Sequence, residues 1–268
     1  MALTKQPQVL EETAVPLADR WASTIVGLPF ESPHSLRKLC IDQAEMSATQ
    51  ELAVEQQKFK IRLANTEDRR GSASLLIQKM YSWRGYQAST VLEGQPNRIT
   101  LVAVANEQSI GTLTLGFDSS IGLLVDELYR DKIDELRSAG RRVCELTKLA
   151  VDERIRSKRV LSSLFHIAYI YAHNLHHCTD MVIEINPRHV RFYEHMLGFQ
   201  RFGAEKMCAR VQAPAILLRL DLSYAQEQIR KFGGMMARAK EERSLYPYAF
   251  SPDDEIGITT RLGRGTPG

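Results

Sequence analysis

The chain is short of cysteine, of long apolar runs and of net charge, and each shortage closes off a class of function. Its four cysteines, Cys40, Cys144, Cys178 and Cys208, stand far apart with no CxxC pair. That excludes a cysteine zinc site and a disulfide framework and makes a reducing cytoplasm the expected setting. No stretch of about 18 uncharged apolar residues occurs. The opening MALTKQPQVLEE also places acids where a secretory signal needs its apolar segment, so neither export nor a membrane span is expected. A net charge of +3 over 268 residues provides no global field for nucleic acid or a membrane surface. There is no GxSxG elbow, Walker loop or HExxH pair, which leaves hydrolase, nucleotide-triphosphatase and zinc-hydrolase chemistry without support.

What is present fits one soluble α/β domain with peripheral elements: 44% of the residues are hydrophobic and 25% charged. Residues 1–57 are broken by Pro7, Pro16, Pro29 and Pro33 and have little strand character. Leu36, Leu39, Cys40 and Met46 form an irregular helical pattern there, so the segment is expected to be an N-terminal extension, partly helical. From residue 58 to about 222 strands and helices alternate. Phe59 to Leu63 has a two-residue period, and a helix capped by Thr66 is expected towards Tyr81. Ile99 to Ala105 and Ile110 to Phe117 predict an antiparallel hairpin, and Val125 to Ser138 a helix ending at Gly140. In Arg142 to Val151 the period puts Val143, Glu145, Thr147, Leu149 and Val151 on one face, with a carboxylate inside an apolar row. After the basic loop Asp152 to Arg159 come a helix with Val160, Leu161, Leu164, Ile167, Ala168 and Tyr171 buried, the strand Met181 to Ile185, and a helix from His189 ended by Gly198. The strand Pro214 to Leu220 follows. An amphipathic helix at 223–245, with Ala225, Ile229, Phe232 and Met236 on one side, precedes a Gly- and Pro-rich tail, 246–268, expected to be loose.

Ile183-Glu-Ile-Asn-Pro-Arg-His-Val-Arg-Phe-Tyr-Glu-His-Met-Leu-Gly-Phe199 resembles the strand, loop and helix near the end of the GNAT acyltransferase fold. The resemblance implies a mixed, mostly antiparallel central sheet flanked by helices. In it the strand Val143 to Val151 splays from Met181 to Ile185 and leaves a V-shaped cleft for a pantetheine arm. Glu145-Leu-Thr-Lys-Leu-Ala-Val151, Asn186-Pro-Arg-His-Val-Arg-Phe-Tyr193 and Ala213-Pro-Ala-Ile-Leu-Leu-Arg-Leu220 resemble one branch more closely, the long-chain N-acyl amino acid synthases of the FeeM type, relatives of the acyl-homoserine lactone synthases. That branch implies transfer of a medium- or long-chain acyl group from acyl carrier protein to the α-amine of an amino acid. The alternatives are lactone synthesis, acetyl transfer from coenzyme A, and an idle binding module of the same fold.

In one respect the chain departs from the superfamily. Its phosphate loop should carry Gln or Arg, then two residues, Gly, one residue, and Gly or Ala; here Arg154, Ser157 and Arg159 stand at those places. Glycines let backbone amides approach a pyrophosphate at a helix N-terminus, and their loss argues against a standard coenzyme A site. Arg154, Arg156, Lys158 and Arg159 suit either the single phosphate of a carrier-borne phosphopantetheine or a solvated basic turn.

Aminolysis of a thioester needs a base, an oxyanion site and a proton donor, but no permanently bound cofactor or metal. The resemblance implies Tyr193 as the donor, or alternatively an ordinary core tyrosine. It also implies backbone N–H groups from Leu149 to Val151, at a bulge, for the oxyanion. Glu145 is the candidate base; the other roles open to it are pairing with an arginine or orienting the substrate ammonium. Thr147, Asn186 and His189 are candidate substrate contacts, with capping as the other reading of His189.

Overall fold

The computed structural model describes residues 24–30, 58–83, 85–86, 92, 96–155 and 157–264. Thr24–Pro29 (β1), Lys58–Leu63 (β2), Arg98–Ala105 (β3), Gln108–Phe117 (β4) and Val143–Val151 (β5) form an antiparallel run in chain order. Asp180–Ile185 (β6) joins β5 in parallel. Gln200–Arg201 (β7) and Lys206–Cys208 (β8) pair with Ala213–Asp221 (β9), which lies antiparallel to β6. A parallel neighbour needs a crossover, and here it is the helix Lys158–Tyr169 (α3), drawn out by a π-helical segment, Ile170–Leu175.

Alternation along the strands splits the core between two faces. Leu101, Leu113, Leu146, Ile183 and Leu218 pack with α3, Val190–Leu197 (α4) and Leu222–Phe232 (α5). Val143, Val182 and Leu217 face Asp126–Ser138 (α2), while Val102 and Ala150 face Glu67–Trp83 (α1). Thr66 Oγ1 accepts the Arg69 N–H at 3.4 Å at the start of α1. The β3–β4 hairpin turns on Asn106 and Glu107 alone, both at positive φ (48° and 59°). That is the primed two-residue turn suited to strand twist, so β4 begins at Gln108.

Four expectations are corrected. Strand character is present in the N-terminal segment: Thr24, Ile25 and Val26 are β-branched, and Pro29 is tolerated because β1 is an edge strand. The helical pattern from Leu36 to Met46 lies outside the described residues. The helix expected over 223–245 is α5 alone. Gly233 and Gly234 end it, since a Cβ on Gly233 would lie 2.5 Å from the Phe250 carbonyl, and Met236 stands exposed in a separate 3-10 turn, Met236–Lys240. The tail expected to be loose contains a 3-10 turn, Tyr246–Tyr248, and the helix Pro252–Arg264 (α6). Pro247 and Pro252 stand at the start of helical turns, where a missing N–H costs nothing. Glu255 of α6 joins His166 (3.0 Å) and Asn174 (2.9 Å), and the Tyr246 hydroxyl donates to the Leu197 carbonyl at 2.6 Å.

The fourth correction bears on the site. Between Thr112↔Ala150 and Thr114↔Thr147 the register slips by one residue, leaving a bulge in β5 at Lys148 and Leu149, with Lys148 at φ 51° and its carbonyl accepting from Thr112 Oγ1 at 2.9 Å. The extra residue flips the strand. Beyond it, Ala150 rather than Leu149 shares the face of Glu145 and Thr147, and Leu149 packs against the α3 side.

Candidate active site

Strands β5 and β6 pair only from Val143↔Asp180 to Leu146↔Ile183. Both run on, to Val151 and Ile185, and their parting opens a cavity of about 1020 Å³. This is the large end of the roughly 300–1,000 Å³ usual for small-molecule sites. Leu149, Leu161, Ile185 and Phe192 give it an apolar wall towards α3 and α4; Arg98, Thr100, Thr114, Glu145 and Thr147 give it a polar floor on the other face. The β4 register steps from Thr112↔Ala150 to Thr114↔Thr147 at the point where the strands part.

Glu145 is 1% exposed and held by three donors: Arg98 Nη2 (2.9 Å) and the Leu124 N–H (2.9 Å) to Oε1, and the Val125 N–H (3.0 Å) to Oε2. Burial pushes its pKa up, partly countered by the two N–H groups and the Arg98 charge. The loop that delivers those N–H groups is clamped in turn. Arg137 bonds Asp118 (2.7 Å) and Asp126 (2.8 Å), and Asp126 accepts the Leu123 N–H at 2.8 Å. Although its burial raises the Asp126 pKa, these bonds outweigh that and hold it low. Arg98 reaches Glu145 across Gly116, the β4 residue between them in register, where a Cβ would lie 3.1 Å from Glu145 Cγ and Oε1.

Tyr193, 6% exposed, lines the opposite side, with Phe192 (5.2 Å), Phe199 (5.7 Å) and Phe165 (6.4 Å) edge-on to its ring. Asn186 and His189 also line the cavity. Asn186 Oδ1 accepts the Arg188 N–H (3.2 Å), and Arg188 Nε donates to His189 Nε2 (3.2 Å). The structure thus brings Glu145, Thr147, Leu149, Val151, Asn186, His189 and Tyr193 to one cavity.

The described residues of the basic loop lie apart from it. Arg154 turns onto Asp152 through Nε and Nη2 (both 2.9 Å), and this pairing, with Lys79, holds the Asp152 pKa far below the carboxylate range. Ser157 Oγ caps α3 by accepting the Val160 N–H at 3.2 Å, and the Lys158 ammonium lies 5.7 Å from the Tyr248 ring centre. Arg159 is half-buried at the start of α3, and Arg156 lies outside the described residues.

A profile of the FeeM N-acyl amino acid synthases matches residues 72–221, more than half of the chain. The chain belongs to the FeeM N-acyl amino acid synthase family. It is an acyltransferase of the GNAT fold. The structure of FeeM, an N-acyl amino acid synthase from uncultured soil microbes, is 26% identical with a TM-score of 0.58, over 64% of this chain and 95% of that one. An acyl-CoA N-acyltransferase from Pseudomonas aeruginosa is 16% identical (TM-score 0.42, 60% and 97% of the two chains). The acyl-homoserine lactone synthase LasI is 11% identical (TM-score 0.41, 61% and 90%). No curated protein matches the chain. No helix among the described residues is long and apolar enough to cross a membrane.

Sequence reasoning missed Arg98, Gly116 and the Leu124–Val125 loop. Gly116, isolated in a strand, was a signal of close approach. Arg98 precedes the apolar run by one residue and sits on the same strand face as Thr100, a signal that period-two counting from Thr100 backwards would have found.

Proposed function

We propose that the enzyme transfers a medium- or long-chain acyl group, borne as a phosphopantetheine thioester on acyl carrier protein, to the α-amine of an amino acid. The observation that carries this reading is the cavity's division into an apolar wall and a charged, hydroxyl-lined floor that meet at the β5 bulge. An acyl chain suits the wall and a zwitterionic acceptor the floor.

In this reading the thioester carbonyl lies against the bulge, where backbone N–H groups from Leu149 to Val151 take up the oxyanion charge. Glu145 removes the ammonium proton, directly or through water. Among the described residues its Oε2 accepts one N–H only and so retains a lone pair for that task. The neutral amine attacks the carbonyl carbon, the C–S bond breaks, and Tyr193 protonates the departing thiolate. The proton lost from nitrogen as the amide forms restores Tyr193. Thr147, Asn186 and His189 line the acceptor's side of the cavity.

The acyl carrier as donor is supported by the loss of both glycine positions at 157 and 159 and by the basic composition of that loop. Reversing Arg156 and Lys158 to Glu tests it. The double variant should use acylated carrier protein at least about tenfold less well, mainly through slower association mimicked by raised salt, and should use a short pantetheine thioester at the parent's rate. Equal use of both donors by both proteins would return coenzyme A thioesters to the front.

A further inference from the structure

Two buried polar groups on the cavity floor have no hydrogen-bond partner among the described residues: Arg98 Nε and Thr147 Oγ1. Both residues line the cavity, and they flank Glu145. An unmet buried donor is costly, so two of them lining one cavity indicate a ligand that supplies the missing acceptors. Among the described residues only Nη2 of the Arg98 fork is committed, to Glu145 at 2.9 Å, which leaves the guanidinium with donors to spare.

The strand register says where such a ligand lies. Arg98, Gly116 and Glu145 form one cross-strand row, and Thr100, Thr114 and Thr147 form the next, with the Thr100 and Thr114 hydroxyls bonded to each other at 2.8 Å. Rows two residues apart are separated by about 6–7 Å, and the bulge at Lys148 follows directly. An α-amino acid lying over these two rows presents its carboxylate to Arg98 and Thr147 and its amine to Glu145. The pair Arg98⁺–Glu145⁻ is complementary to a zwitterion, with the carboxylate towards the guanidinium and the ammonium towards Glu145.

We propose that Arg98 and Thr147 form the seat for the acceptor's α-carboxylate, so that this enzyme selects amines bearing a neighbouring acid and rejects the matching amides. Arg98 binds the carboxylate through Nε and Thr147 donates its hydroxyl to the second oxygen. The proposal rests on the amino acid reading of the reaction but fails separately from it.

The test compares an amino acid with its carboxamide as acceptors, at saturating donor. The parent should prefer the acid by about 10²-fold or more in kcat/KM, because the amide brings two N–H donors to a site built of donors. Arg98→Met should collapse the acid-to-amide ratio of kcat/KM about tenfold or more; because Arg98 also holds Glu145, kcat falls on both acceptors and the ratio is the readout. Thr147→Val, which is isosteric and keeps the Arg98–Glu145 pair, should raise KM for the acid several-fold with kcat held, and it guards against an Arg98 variant that fails to fold. Equal use of acid and amide by the parent, or variants that keep the parent's acid-to-amide preference, would overturn the seat while leaving acyl transfer standing. If the parent acylates no amine, calorimetry with an N-acyl amino acid and its carboxamide decides: tighter binding of the acid, lost in Thr147→Val, upholds the seat, and equal binding overturns it.

Discussion

Replacing Glu145 by Gln keeps the side-chain shape and changes two things that can be measured apart. The carboxylate accepts three hydrogen bonds and a positive charge; a glutamine has one acceptor oxygen and one amide that can only donate. If the oxygen turns to Arg98 and the Leu124 N–H, the new NH2 faces the Val125 N–H and leaves that buried donor unmet, at a cost of about 1–3 kcal/mol. Arg98, with its side chain only 13% exposed, also loses its charged partner. Against this, the variant no longer buries an ionised group. The net expectation is a loss of about 2–4 kcal/mol, less than for breaking a fully dry pair. Because burial raises the Glu145 pKa, the ionised form costs stability: the parent should gain from this group as pH falls through its folded pKa and lose as pH rises, and the variant should lack that component. Urea unfolding across pH measures this, while single-turnover acyl transfer should fall about 10²-fold. A stability change under about 0.5 kcal/mol together with full activity at every pH would refute both the clamp and the base.

Tyr193→Phe preserves the edge-on aromatic packing and should lower kcat about 10²-fold with KM nearly unchanged; a donor with a better thiol leaving group should recover much of the loss, whereas equal defects with all donors would argue for a packing role. Gly116→Val drives a branched side chain into a clamped carboxylate and should cost about 1–3 kcal/mol in chemical denaturation, with loss of activity; an unchanged protein would mean that Arg98 and Glu145 can yield. Since the Asp152 pKa is depressed by Arg154 and Lys79, its stabilisation is present above about pH 4 and lost as pH falls further. Asp152→Asn should flatten that part of the acid unfolding curve, and an identical acid limb in both proteins would contradict it.

Much of this architecture was legible because alternation and turn chemistry are local. The hairpin, α1, α3, the helix stop at Gly198 and the carboxylate on β5 are all set by residues within a few positions of one another. The bulge was implied by the family resemblance alone, since one extra residue leaves the composition of Glu145 to Val151 unchanged and shows only in what opposes it across the sheet. Glu145 itself was legible only in part. Its place on a buried face follows from period two, but its three partners come from β3 and the loop before α2, 20 to 47 residues away. The tail misled for another reason: proline and glycine mark turns, yet Pro247 and Pro252 start helical turns that become ordered through Tyr246 and Glu255, contacts made some 49 to 89 residues distant.

The most direct test of acyl transfer to an amino acid in this cleft is the mass of the product. Purified enzyme, carrier protein charged with a carbon-13 acyl chain and a mixture of nitrogen-15 amino acids should yield an amide carrying both labels and a free carboxylate. A labelled lactone, or transfer seen only from acetyl-coenzyme A, would contradict the account.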